Sequence, residues 1–179
     1  NLSYPLEKVV FGVNNELVEA KFKGMFVTAV FGKFNIETSE VNFVNAGHES
    51  IMVFDRNKNF EFIKSEMPPI GIIKYFTETM VKSKTINLKD KTFVVYTDGV
   101  TEGYLKNGQE LGAEGVQKIV TDLNDITPKK IVDGIAEQLN WGAEKLRDDI
   151  TCLALDLKNT ELIKPAKKKK LENIEDSKK

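Results

Sequence analysis

The run Phe93-Val94-Val95-Tyr96-Thr97-Asp98-Gly99 sets a carboxylate at the end of an apolar, β-branched stretch. Such a stretch reads as a buried strand and Asp-Gly as turn chemistry, so Asp98 stands where a sheet meets solvent. A bare charge deeper in that sheet would be costly. Taken alone, such an aspartate caps a turn. A second acidic group changes the balance: Arg147-Asp148-Asp149-Ile150-Thr151 places paired carboxylates at the start of another apolar run, Ile150 to Leu157. Acids at the mouths of two core strands make a site for a hard divalent cation.

Asp98, Asp148 and Asp149 offer oxygen ligands only. His48 is the sole histidine and Cys152 the sole cysteine, so a soft or borderline metal has little to hold it. Mg2+ or Mn2+ is the consistent choice. Successive strand residues face opposite ways. Asp148 is therefore the expected ligand, with Asp149 a second ligand or a group that orients water on the metal. The competing reading pairs these acids locally with Lys145 and Arg147. No G-x-S-x-G elbow, P-loop or G-x-G-x-x-G occurs, and any Ser-His-Asp or Cys-His arrangement would have to pass through His48. The expected chemistry is attack by water activated by a metal, with Asp98 and Asp148 as the catalytic carboxylates. Arginine occurs only at Arg56 and Arg147. Arg56, in a polar turn, is expected to face solvent. Arg147 adjoins the proposed ligands, where an ion pair with the aspartates competes with a reach toward phosphate.

These residues need elements to position them. Leu6, Val9, Val10, Val13 and Leu17 recur at helical spacing behind Pro5, predicting an amphipathic helix over residues 5 to 20. Strand-like runs follow: Met25 to Phe34, Val41 to Ala46, Ser50 to Phe54, Phe60 to Ile63, Tyr75 to Ile86 and Lys91 to Thr97. The period then changes. Val116, Ile119, Val120 and Leu123 mark one helix, and Thr127-Pro128 caps a second with Ile131, Val132, Ile135 and Leu139 on its apolar face. Strands this close, mostly without helical crossovers, predict an α+β fold: a sandwich of two antiparallel sheets flanked by helices.

At 179 residues, 41% hydrophobic and 30% charged, the chain can bury one real core. A net charge of −1 argues against a nucleic-acid surface. The lone cysteine excludes an internal disulfide, and no apolar stretch reaches the roughly 20 residues of a bilayer span. A cytoplasmic location is the expectation. Residues 159–179, with Lys167 to Lys170 followed by Glu172, Glu175 and Asp176, read as a charged tail in which opposite charges offset one another.

Five motifs stand in order: Met25-Phe26-Val27-Thr28, Val44-Asn45-Ala46-Gly47-His48, Pro69-Ile70-Gly71-Ile72, Tyr96-Thr97-Asp98-Gly99-Val100-Thr101-Glu102 and Asp148-Asp149-Ile150-Thr151. In this order and spacing the chain resembles the PPM (PP2C-like) phosphatase domain of the bacterial SpoIIE and RsbU type, over residues 1–158. The resemblance implies a two-sheet sandwich and metal-dependent hydrolysis of phosphoserine or phosphothreonine in a protein, with a phosphorylated STAS-type anti-anti-sigma factor as the usual substrate. A catalytically silent PP2C-like interaction module is the alternative. By position, Asp98 and Asp148 match the family's metal-ligating aspartates, and Asp149 falls where relatives carry Asp or Asn. Gly47 and His48 match a strand and turn of structural role, with catalytic acid the lesser alternative for His48. The family's two N-terminal acidic motifs, which complete a binuclear Mn2+ or Mg2+ site, are expected before Asn1. This polypeptide alone is accordingly expected to bind Mn2+ weakly, and its uncovered sheet edge to favour a homodimer.

Overall fold

The computed structural model describes residues 4–20, 24–139 and 148–157. Lys145, Arg147 and the charged tail lie outside them. The strands are β1 (Ala29–Asn35), β2 (Glu40–Ala46), β3 (Ile51–Asp55), β4 (Phe60–Ile63), β5 (Lys84–Asn87), β6 (Lys91–Tyr96) and β7 (Cys152–Asp156). The helices are α1 (Leu6–Glu19), α2 (Asp98–Thr101), α3 (Gly112–Asp122) and α4 (Pro128–Gln138). One sheet runs β1-β2-β5 and the other β4-β3-β6-β7, antiparallel throughout.

Side-chain alternation explains the layering, because neighbouring strand residues point to opposite faces. On β2, Val41 and Phe43 meet Ile51, Val53 and Phe93 of the second sheet, closing the core between the sheets. The rings of Phe43 and Phe93 pack edge-on at 5.4 Å. Val44 and Ala46 face the other way, against Leu6 and Val10 of α1. On the far side of the second sheet, Met52, Phe54, Val94 and Tyr96 pack against Val116 and Val120 of α3 and Ile131 and Ile135 of α4. Helix, sheet, sheet, helices is therefore the order of layers, the expected sandwich. Among the described residues no helix is long and apolar enough to cross a membrane.

Four expectations need correction. Val9 is 43% exposed and points away from the sheet, while Asn14, 1% exposed, takes a place on the buried stripe of α1. Its Oδ1 accepts the Gly71 N–H at 2.9 Å, which satisfies the amide and pins a loop to the helix. Residues 25–28 do not belong to β1; Val27 forms only an isolated bridge with Ile70. The predicted strand from Tyr75 to Ile86 reduces to Lys84–Asn87, preceded by a short 3-10 turn at Glu78–Met80. Phe76 and Val81 instead dock on the α1 cluster, and that packing displaces a ladder. Arg56 does not face solvent: its guanidinium donates to the Ile126 carbonyl at 2.6 Å and pairs with Asp156 at 3.3 Å.

Helix α4 carries its predicted cap. The Thr127 hydroxyl accepts the Lys130 N–H at 3.3 Å, and Pro128 fills the first turn, where no N–H is needed. Thr127→Ala is expected to cost about 1 kcal/mol, lowering the melting temperature by about 2–4 °C, with Thr127→Ser near wild type. Thermal denaturation of the three proteins checks this.

Candidate active site

Register brings the two acidic segments together. β6 and β7 are adjacent and antiparallel, with Tyr96 opposite Cys152, so Thr97-Asp98 leaves the sheet where Asp149 to Thr151 enters it. Beyond the ladder the pairing continues through threonines. The Thr97 N–H donates to the Thr151 carbonyl at 3.0 Å, and the Thr151 N–H donates to the Thr97 hydroxyl at 3.0 Å. That hydroxyl donates in turn to the Asp149 carbonyl at 3.1 Å. A threonine from each motif thus stitches the two segments, a role that spacing alone did not disclose.

Asp98 does not sit in a simple turn. It opens α2, a single turn of helix in which its carbonyl accepts from the Glu102 N–H at 2.7 Å and the Thr101 hydroxyl at 3.1 Å. Its Oδ1 accepts the Gly99 N–H at 2.9 Å. Gly99 is buried against the opposing segment, and a Cβ there would lie 2.4 Å from the Asp149 carbonyl oxygen. The close approach requires glycine. Asp148 Oδ1 accepts the Asp149 N–H at 2.7 Å. All three aspartates are exposed at this one rim of the second sheet.

The donor set fits a hard dication in type. Mg2+ is commonly held by one or two carboxylates with waters and substrate phosphate completing the sphere. The three predicted ligands do not converge as a set: no group of three or more His, Cys, Asp or Glu that could hold a metal occurs among the described residues, Asp98, Asp148 and Asp149 included.

Behind the rim the environment is apolar. Burial, then the negative charges of Glu49 and Cys152, push the Tyr96 hydroxyl up to about 12. Burial alone pushes the Cys152 thiol up to about 11. Reactivity follows the thiolate, so Cys152 in the folded protein should alkylate about a hundredfold more slowly at pH 8 than an unperturbed cysteine. The rate should climb with pH through 10 without a plateau. Iodoacetamide labelling followed by mass spectrometry reads this directly.

Comparison with known proteins agrees with this frame. The family model for stage II sporulation protein E (SpoIIE) matches residues 1–158. Protein IcfG of Synechocystis sp. is 25% identical over 138 residues, covering 73% of this chain and 20% of that protein. The Mn-presoaked phosphatase domain of the cell fate determinant SpoIIE from Bacillus subtilis has a TM-score of 0.58 at 19% identity, covering 86% of this chain and 66% of that one. For the SiaA PP2C domain of Pseudomonas aeruginosa the TM-score is 0.62 at 18% identity, with 83% and 58% covered. RsbX in complex with magnesium gives 0.59 at 14% identity, with 85% and 64% covered. The chain therefore spans a fifth of IcfG and less than two thirds of the SiaA and RsbX chains. The structural likenesses establish the PP2C-like sandwich. With the family model matched across both acidic motifs and every element of that sandwich, the chain belongs to the SpoIIE family of PP2C-like phosphatase domains.

Proposed function

We propose that this chain is the catalytic portion of a metal-dependent protein serine/threonine phosphatase, acting on a phosphorylated STAS-type anti-anti-sigma regulator. The observation that carries the reading is the Thr97–Thr151 stitch, which joins the segment that opens with Asp98 to the segment that follows Asp148-Asp149 at an open rim. The Mn-presoaked SpoIIE domain and the magnesium complex of RsbX support a divalent cation of this kind. In this reading Asp98 and Asp148 hold the metal and Asp149 is a further ligand or an orienting group. When bound, the ion stabilises charge on the phosphoryl oxygens and makes water a stronger nucleophile at neutral pH.

The chain's own residues set the geometry. Gly99 lets the two main chains touch, and the threonine hydrogen bonds fix the span between them. Asp98 opens α2, and a carboxylate on a helix is held more rigidly than one on a loop. Their exposure admits a phosphoserine on the surface of a folded partner.

A catalytically silent interaction module is favoured by one observation, the scarcity of converging donors among the described residues. One assay separates the two readings. The complete protein is incubated with a phosphoserine-bearing STAS domain, and free phosphate is measured with Mn2+, with EDTA, and with Mn2+ restored. Release that disappears with EDTA and returns with Mn2+ is expected. Binding of the phosphoprotein without phosphate release under any condition would establish the silent module instead.

A further inference from the structure

Three of the sequence motifs take no part in the carboxylate seam: Met25-Phe26-Val27-Thr28, Val44-Asn45-Ala46-Gly47-His48 and Pro69-Ile70-Gly71-Ile72. The fold ties them into one knot. Val27 and Ile70 exchange both main-chain hydrogen bonds at 2.9 Å. Gly47 has φ of +65°, and a Cβ there would overlap the Pro69 ring. The Ser65 hydroxyl accepts the Gly47 N–H at 2.8 Å. Asn45, 5% exposed, accepts the His48 N–H and donates to the Glu49 carbonyl, each at 2.9 Å. All of this fixes the backbone under a single half-buried imidazole, whose Nδ1 lies 3.2 Å from the Thr28 hydroxyl. That ring belongs to the chain's only histidine.

Its place in the fold gives the arrangement meaning. Residues 47–50 carry the chain from β2 in one sheet to β3 in the other. β3 pairs with β6, Met52 opposite Val94, so by register Ser50 is level with Tyr96. His48 and Asp98 therefore lie beyond the same ends of neighbouring strands.

We propose that His48 is the general acid of the ester hydrolysis, donating from Nε2 to the leaving serine or threonine oxygen, with Thr28 as its positioning residue. The proposal rests on the phosphatase reading above. With Nδ1 engaged by Thr28, Nε2 is the ring atom that presents a proton to substrate. A water oxygen bonds to phosphorus as the bond from phosphorus to the side-chain oxygen breaks, and the electron pair stays on that oxygen. The His48 proton neutralises it and the alcohol departs. A proton from the attacking water restores the imidazole, so ester and water become alcohol and phosphate.

The test compares two leaving groups on the complete protein with Mn2+. A phosphoserine peptide expels an alkoxide that needs a proton, whereas p-nitrophenyl phosphate expels a stable aryloxide. His48→Ala is expected to lose about a hundredfold or more in kcat on the peptide and under about tenfold on the aryl ester, within the usual range of general-acid contributions. Thr28→Val should lose about tenfold on the peptide with the same selectivity, and Thr28→Ser should recover most of it. Both rates come from one preparation, so their ratio does not depend on the folded fraction. Equal losses on the two esters in both variants overturn the assignment of His48. A wild-type protein that hydrolyses neither ester overturns the phosphatase reading itself.

Discussion

Asp98→Asn should lower Mn2+-dependent phosphate release by the complete protein at least about a hundredfold, since a metal supplies several kcal/mol of charge stabilisation and each 1.4 is a factor of ten. The substitution is close to isosteric. The amide oxygen can still accept the Gly99 N–H, so the turn and the fold should survive. What is lost is the negative charge that, in the proposed site, would hold a hard cation. Asp148→Asn should fall comparably, because the two residues contribute from opposite sides of one seam. Arg147→Ala should fall less than either, because in the proposed mechanism the metal rather than this guanidinium neutralises most of the phosphate charge. Steady-state assays on the three variants, with calorimetric titration of Mn2+, decide the ranking. An Asp98→Asn protein with near wild-type turnover would remove the carboxylate from the mechanism.

The second large effect belongs to a residue with no side chain. Gly99→Ala places a methyl 2.4 Å from the Asp149 carbonyl oxygen and 3.0 Å from its carbon. These are main-chain atoms, so no rotamer change can relieve the overlap. Either α2 or residues 149–150 must move, and the stitch through Thr97 must loosen. Overpacking of this kind costs about 1–3 kcal/mol, which for a chain of this size lowers the melting temperature by several degrees. Activity should fall further than stability, because an error of about 1 Å in the spacing of catalytic groups costs on the order of a hundredfold. Thermal melts beside turnover numbers separate the two. A variant that melts as the wild type and turns over normally would show that the seam tolerates widening.

The elements legible in the sequence were those whose partners impose a simple period. Val41 to Ala46 and Lys91 to Tyr96 alternate between two buried environments, and their strands fall where the apolar runs predict. Thr127-Pro128 wrote the start of α4 in local chemistry. Tyr75 to Ile86 misled for the opposite reason. Phe76 and Val81 dock on the α1 cluster, and among the described residues no strand pairs with the segment before Lys84. Asn14 read as a break in the apolar stripe because its partner, the Gly71 amide, is remote in sequence. Asp-Gly read as a turn, since one helical turn is too short to leave a periodic signal.

At the site, residue type disclosed the hard-donor chemistry but not its scaffold. Asp98 and Asp148 were visible as acids near the mouths of strands, while the meeting of their segments depends on the antiparallel register of β6 and β7, which is a tertiary fact. Thr97 and Thr151 were members of motifs without an assigned task. Their hydrogen bonds supply one.

The crossing at residues 47–50 has a mechanical consequence. An extended residue reaches at most about 3.6 Å, so this tether has little slack. Shear of one sheet over the other would load it together with the shorter link 88–90 between β5 and β6, and of the two the 47–50 tether stands at the rim of Asp98. A load applied through α1 would thus arrive as displacement of the backbone, with no relay of side chains required.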